Sequence, residues 1–140
     1  MARREIDTDF WVKSMLGEAG IALTAQGGGT KEIEAALQTA SKAGTGRAGY
    51  PEFCGTVKGE YLIVIEDKAD LDRHLERDDR GLIDQAIPAV QDYAVNGALF
   101  YALHLAKHTG YRKIFALGIS GSEKRHRITP LFVNERGEYK

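Results

Sequence analysis

An apolar run that ends abruptly in charge holds the residues best suited to chemistry. In Tyr61-Leu62-Ile63-Val64-Ile65-Glu66-Asp67-Lys68, five apolar residues, three of them β-branched, are followed by two carboxylates and an ammonium. Such a run suits a strand covered on both faces, as in the centre of an α/β sheet. Side chains alternate along a strand, so Glu66 and Lys68 share a face with Leu62 and Val64 while Asp67 points to the other. Upstream stands Pro51-Glu52-Phe53, joined to the run by Cys54-Gly55-Thr56-Val57-Lys58-Gly59-Glu60. That connector holds a short second strand and a Lys-Gly turn, so residues 50–68 are expected to form a hairpin or bent pair. Pairing brings Glu52 close to Glu66. Two carboxylates held together repel unless a cation lies between them, and oxygen-only ligands select a hard ion such as Mg²⁺. A lysine beside that ion balances charge building on a phosphate oxygen or orients a water.

The rest of the chain must position these groups. Residues 8–19 read as a first helix, with Val12, Met15, Leu16 and Ala19 at helical spacing, Asp7 or Thr8 as cap and Gly20 as stop. Trp11 beside that stripe is read as core. Gln26-Gly27-Gly28-Gly29-Thr30 lacks the lysine and hydroxyl that a phosphate loop needs, so it reads as a connector ending in a Thr30 cap. A second helix over about 31–42 buries Ile33, Ala36, Leu37 and Ala40. After Lys68 comes a loop of mixed charge, Ala69 to Gly81, in which His74 is read as having no specific role. Residues 82–108 form the longest helical tract, interrupted or restarted at Pro88, with Gly97 expected to let the helix approach the sheet. Arg112 to Ile119 is a further buried strand, and Ile128 to Val133 a last one, placed at the sheet edge by Pro130.

Pro51-Glu52, thirteen residues, then Glu66-Asp67-Lys68 resembles the PD-(D/E)XK motif of restriction-type nucleases, with Glu52 in place of the usual aspartate. Longer stretches narrow the likeness. Ala40-Ser41-Lys42-Ala43-Gly44-Thr45-Gly46-Arg47-Ala48-Gly49-Tyr50-Pro51-Glu52-Phe53, Ile63-Val64-Ile65-Glu66-Asp67-Lys68-Ala69-Asp70 and Tyr93-Ala94-Val95-Asn96-Gly97-Ala98-Leu99-Phe100-Tyr101-Ala102 are similar to the N-terminal nuclease domain of type I and type IIG restriction-modification proteins. The likeness implies one domain over residues 1–140 with a restriction-endonuclease-like core, a mixed β-sheet flanked by α-helices. It also implies an Mg²⁺-dependent endonuclease acting on double-stranded DNA, with Mn²⁺ as substitute. Glu52 and Glu66 would hold the metal, the backbone carbonyl of Ile65 or Asp67 would add a further ligand, and Lys68 would position the attacking water or stabilise the developing charge. The Asp67 side chain is expected to be a bystander.

The family often carries a metal-reaching acid on the helix before the hairpin. Glu34 is the choice here, with Glu32 next, against the plainer account that both favour the helix dipole. Lys42 and Arg47, in the glycine-rich approach to Pro51, and Lys124 and Arg125, in the most basic run, are candidates for DNA phosphates. The plain alternatives are a flexible loop and an exposed hairpin tip. Related nucleases also place a Gln four residues before a Tyr on the helix after the lysine. Here Gly97 precedes Tyr101 and Ala89 precedes Tyr93 at that spacing, so the pair is missing, and Asn96 is the preferred substitute. In the family the domain precedes a helicase-type motor or an N-6 adenine methyltransferase, as a domain or subunit; whether the chain is a monomer or a homodimer stays open.

A composition of 43% hydrophobic and 28% charged residues fits one soluble domain and excludes general disorder. The net charge of −1 argues against strong DNA binding by this chain alone, though not against cleavage of DNA delivered by another domain. The last residues, Arg136-Gly137-Glu138-Tyr139-Lys140, read as the onset of a linker. A lone cysteine, no signal-like start and no membrane-length apolar run point to the cytoplasm and no membrane. The rival reading is an inactive module of the same fold that docks subunits or binds DNA without cutting. Neutral charge and the missing Gln favour it; the Glu52, Glu66 and Lys68 trio opposes it, because burying such groups without chemistry costs stability.

Overall fold

A computed structural model of the chain describes residues 2–25, 29–41 and 49–140, with side chains from residue 6 onward. In chain order the elements are α1 (Ala2–Glu18), β1 (Thr24–Ala25), α2 (Lys31–Leu37), β2 (Phe53–Val57), β3 (Tyr61–Lys68), a 3₁₀ turn (Leu71–Arg73), α3 (Ile87–Asp92), α4 (Ala94–His108), β4 (Lys113–Gly121) and β5 (His126–Asn134). The apolar run is β3, the middle strand of five, whose order in space follows the chain. β2 and β3 form the expected hairpin, with Cys54 opposite Val64. The turn holds Lys58 at φ 56° and Gly59 at φ 66°, left-handed geometry that suits the glycine and strains the lysine. β3 and β4 run parallel, Leu62 opposite Ile114 and Lys68 opposite Ser120, which requires the long crossover through α3 and α4. β5 returns antiparallel at the sheet edge, where Pro130 loses no needed ladder donor.

Helices cover both faces. Val12 and Leu16 of α1 pack with Phe53, Ile65 and Ile119 on one side. Ile33, Ala36 and Leu37 of α2 and Val95, Ala98, Leu99 and Ala102 of α4 pack on Cys54, Leu62, Val64, Ile114 and Ala116 on the other. This is an α/β fold with a mixed sheet, compatible with a restriction-endonuclease-like core. The closest approach of α4 to the sheet is set by the strand: a Cβ on Gly118 would lie 2.6 Å from the Val95 Cα. Gly97, expected to open that approach, is also buried.

Other boundaries differ from expectation for local reasons. Thr30 caps α2 by accepting a hydrogen bond from the Ile33 amide, but α2 ends at Leu37. The chain returns there, and the Gly49 amide donates to the Leu37 carbonyl at 3.1 Å. The long helical tract is two helices, broken where Tyr93 adopts φ −119°, ψ 138°, with Pro88 in the first turn of α3. No helix among the described residues is long and apolar enough to cross a membrane.

Candidate metal centre

The carboxylates gather where the N-terminal end of β2 meets the C-terminal ends of β3 and β4, beneath α1. Thr8 is 3% exposed and donates its hydroxyl to the Gly121 carbonyl at 2.9 Å, which pins α1 to the end of β4. That contact brings Asp9, one residue on, to the face onto which alternation turns Asp67. Glu52 stands at a bend just before β2. Its amide donates to Glu66 Oε1 at 2.9 Å, so its backbone meets Glu66 as the hairpin register requires. Its carboxylate, with those of Asp9 and Asp67, offers oxygen atoms that all lie within 4.8 Å of one another.

The electrostatics of this cluster are unfavourable as it stands. Asp67 is 1% exposed, and neither of its carboxylate oxygens has a donor; one Asp9 oxygen is buried in the same condition. Burial first, then the facing Asp9, then the charges of Glu52 and Glu66 push the Asp67 carboxyl up to about 10. Two ionised carboxylates contain only acceptors, so Asp9 and Asp67 can be reconciled by one shared proton or by a cation. The donor set is all oxygen and anionic, which fits a hard divalent ion such as Mg²⁺ better than a soft one.

The expected residues are distributed as follows. Glu66 is buried and held by the Glu52 amide. Lys68 is half-buried on the face of Glu66 and forms no ion pair among the described residues. Asp67, read from sequence as a bystander offering at most its backbone carbonyl, brings its side chain into the cluster. Glu34 lies on α2, which packs on the sheet face that Glu66 shares with Leu62 and Val64, and its charge adds to the burial that pushes the Cys54 thiol up to about 12. Glu32 accepts from the Gly110 amide at 2.6 Å, at the far end of α4. Tyr101 is buried, and its phenol is held above its ordinary value by burial and by the charges of Glu66 and Glu52, although no Gln stands four residues before it. Asn96 is fully buried; its amide donates to the Glu76 and Asp84 carbonyls at 2.9 and 2.8 Å and accepts from the Glu76 amide at 3.0 Å. All its polar atoms therefore hold the loop before α3. Lys124 and Arg125 are exposed at the β4–β5 tip, and Arg125 lines a cleft of about 560 Å³ with Arg127, Asp70 and Asp72. Lys42 and Arg47 lie outside the described residues.

Two participants were not anticipated. Asp9 lies on the buried side of α1, between Thr8 and Val12; a carboxylate interrupting an apolar helical stripe was the available signal. His74, expected to do nothing specific, is 6% exposed, with Nδ1 2.8 Å from Ser120 Oγ and Nε2 2.7 Å from Thr129 Oγ1. It binds the loop after β3 to β4 and β5, beside the strand position that faces Lys68.

A mixed sheet with carboxylates at the end of its central strand defines the structural class: an α/β fold whose acidic centre suits a divalent cation. The chain is 36% identical over 137 residues to the type II restriction enzyme and methyltransferase RM.BcgI of Heyndrickxia coagulans, an alignment that covers 96% of this chain and 21% of that protein. The chain thus spans about a fifth of the length of the curated relative it matches. No family model and no solved structure matches the chain.

Proposed function

We propose that the chain is a PD-(D/E)XK-type nuclease domain of a restriction-modification system, hydrolysing phosphodiester bonds of double-stranded DNA with Mg²⁺. One observation carries the reading. Asp67 buries two oxygen atoms without a donor beside Asp9 and Glu52, a cost that a divalent cation removes. Asp9, Glu52 and Asp67 would hold the ion, with Glu66 fixing the Glu52 backbone at 2.9 Å and completing the acidic shell. When bound, the ion supplies Lewis acidity to a phosphate oxygen and acidifies a water. Lys68, on the Glu66 face of the same strand end, would offer the ammonium that meets negative charge developing on the phosphate. Tyr101 closes the Glu66 side as a buried neutral phenol.

The alignment to a protein named both restriction enzyme and methyltransferase supports the DNA substrate and a methyltransferase partner; the family resemblance adds that this partner is of the N-6 adenine type or, in the other arrangement, a helicase-type motor. The small net charge agrees with DNA being delivered by such a partner, and cutting both strands would call for two copies of the domain, as in a homodimer. The test is nicking of supercoiled plasmid in Mg²⁺ or Mn²⁺. Wild type should convert it and Lys68→Ala should be slower by about 10²–10³-fold, the cost of removing one preorganised charge stabiliser. Equal rates in the two would defeat the assignment of Lys68. No cleavage by either at high DNA concentration, with the fold intact, would leave a docking module.

A further inference from the structure

Exposed apolar surface lies directly against the carboxylate cluster. Ile6 and Phe10, one turn apart on α1, are 50% and 68% exposed. With Ala25 and Phe53 they wall a notch of about 220 Å³ whose remaining lining is Asp9, Glu52 and Lys13. A single exposed apolar side chain needs no account. Two on one helix face, opening onto Asp9, one of whose oxygen atoms is buried without a donor, are a different case.

We infer that this notch is a substrate-positioning subsite that seats the nucleobase adjoining the scissile phosphate, with Phe10 against the base and Lys13 against the next phosphate. The inference rests on the nuclease reading and extends it to the chain's grip on its substrate. An ion between Asp9, Glu52 and Asp67 fixes where one phosphate sits, so the attached nucleoside must lie within one sugar of that point. Among the described residues, the apolar wall next to Asp9 and Glu52 is that of Ile6, Phe10 and Phe53. A base is uncharged and flat, presents a π-face to an aromatic ring whatever its identity, and fits a space of this size. Lys13 follows Asp9 by four residues and lies on the same helix face, so anion and cation alternate along α1 as metal and phosphate would along the substrate. An apolar protein segment could cover Ile6 and Phe10, but it would offer Lys13 no complementary charge, as a phosphate does.

The test uses the chain with Ca²⁺, which occupies oxygen sites, and the thymidine dinucleotide pTpT as probe. In NMR titrations the Ile6 methyl and Phe10 ring signals should shift when Ca²⁺ and pTpT are both present, and should not shift with inorganic phosphate in place of pTpT. Phe10→Ala should weaken pTpT binding by at least about fivefold, as loss of one base–aromatic stack does, while Phe10→Tyr restores it and Ca²⁺ affinity stays at the wild-type value in both. Unchanged pTpT affinity in Phe10→Ala would overturn the inference. So would burial of Ile6 and Phe10 by a second copy, seen as concentration-dependent dimerisation that Phe10→Ala abolishes. Absence of Ca²⁺ binding in wild type would remove the metal centre itself, and with it the nuclease reading; Ca²⁺ binding without any pTpT shift would remove the notch alone.

Discussion

Two groups of buried polar side chains sit at the same end of the sheet and are treated in opposite ways. On the α4 side, His74 has a hydroxyl at each ring nitrogen, at 2.8 and 2.7 Å, and Asn96 has three backbone partners. Each is fitted with neutral partners, and together they fasten the loop between β3 and α3. On the α1 side, Asp67 and Asp9 bury three oxygen atoms that find no donor. A fold able to satisfy an imidazole and an amide so completely has no general difficulty with buried polarity. Its omission at the carboxylates is therefore local, and it concerns anions, which a cation can satisfy and a hydroxyl cannot balance.

The contrast can be broken or sharpened by experiment. The largest effect is expected for Asp67→Asn, which keeps the shape and removes the charge: Mn²⁺ affinity by calorimetry should collapse and plasmid nicking should fall by about 10³-fold or more, several kcal/mol of lost metal catalysis. Nicking at the wild-type rate would show that the unsatisfied carboxylates are not the centre. Asn96→Ala should act on the other side only. It strips three hydrogen bonds and strands two carbonyls and an amide, costing about 3 kcal/mol in urea unfolding while leaving Mn²⁺ affinity of the folded protein unchanged.

The two regions should also respond to pH with opposite sign. The raised Asp67 carboxyl makes the folded chain hold a proton that the unfolded chain releases, so stability falls as pH rises from the ordinary carboxylate range towards about 10. His74 is held below its ordinary value by burial and then by the Arg127 charge, so its contribution is complete above the ordinary histidine range and is lost as pH falls through it. Thermal melts across pH should show the alkaline slope flatten on saturation with Mn²⁺ or in Asp67→Asn, and the acid slope flatten in His74→Gln. The smallest effect is expected at the exposed tip. Lys124→Ala and Arg125→Ala should each lower DNA affinity a few-fold, about equally for all sequences, and reduce the salt dependence by about one phosphate contact.

Much of the framework was legible in the residues. An unbroken apolar run with β-branched residues marked β3, a Lys-Gly pair marked its hairpin, and Pro130 marked the edge strand, because each of these signals is local. β1 was not legible, since two residues, Thr24 and Ala25, carry no periodicity. Alternation correctly sent Asp67 away from Glu66. What it could not supply was the partner waiting there, because Asp9 comes from a helix more than fifty residues upstream and is placed by the Thr8 contact with Gly121. His74 was obscure for a related reason: its two partners lie on strands that sequence spacing does not bring together. The glycine that lets α4 come close to the sheet, Gly118, was hidden within an ordinary-looking strand.

The bond from Thr8 to Gly121 joins residues 113 positions apart. A cluster that takes one member from the first helix, two from the central hairpin and its anchor from the end of β4 cannot assemble piecemeal. While the chain is being made or is partly unfolded, its acids stay scattered. Any cutting power they confer would arrive late, together with the finished architecture, so an immature copy would be harmless to the DNA around it.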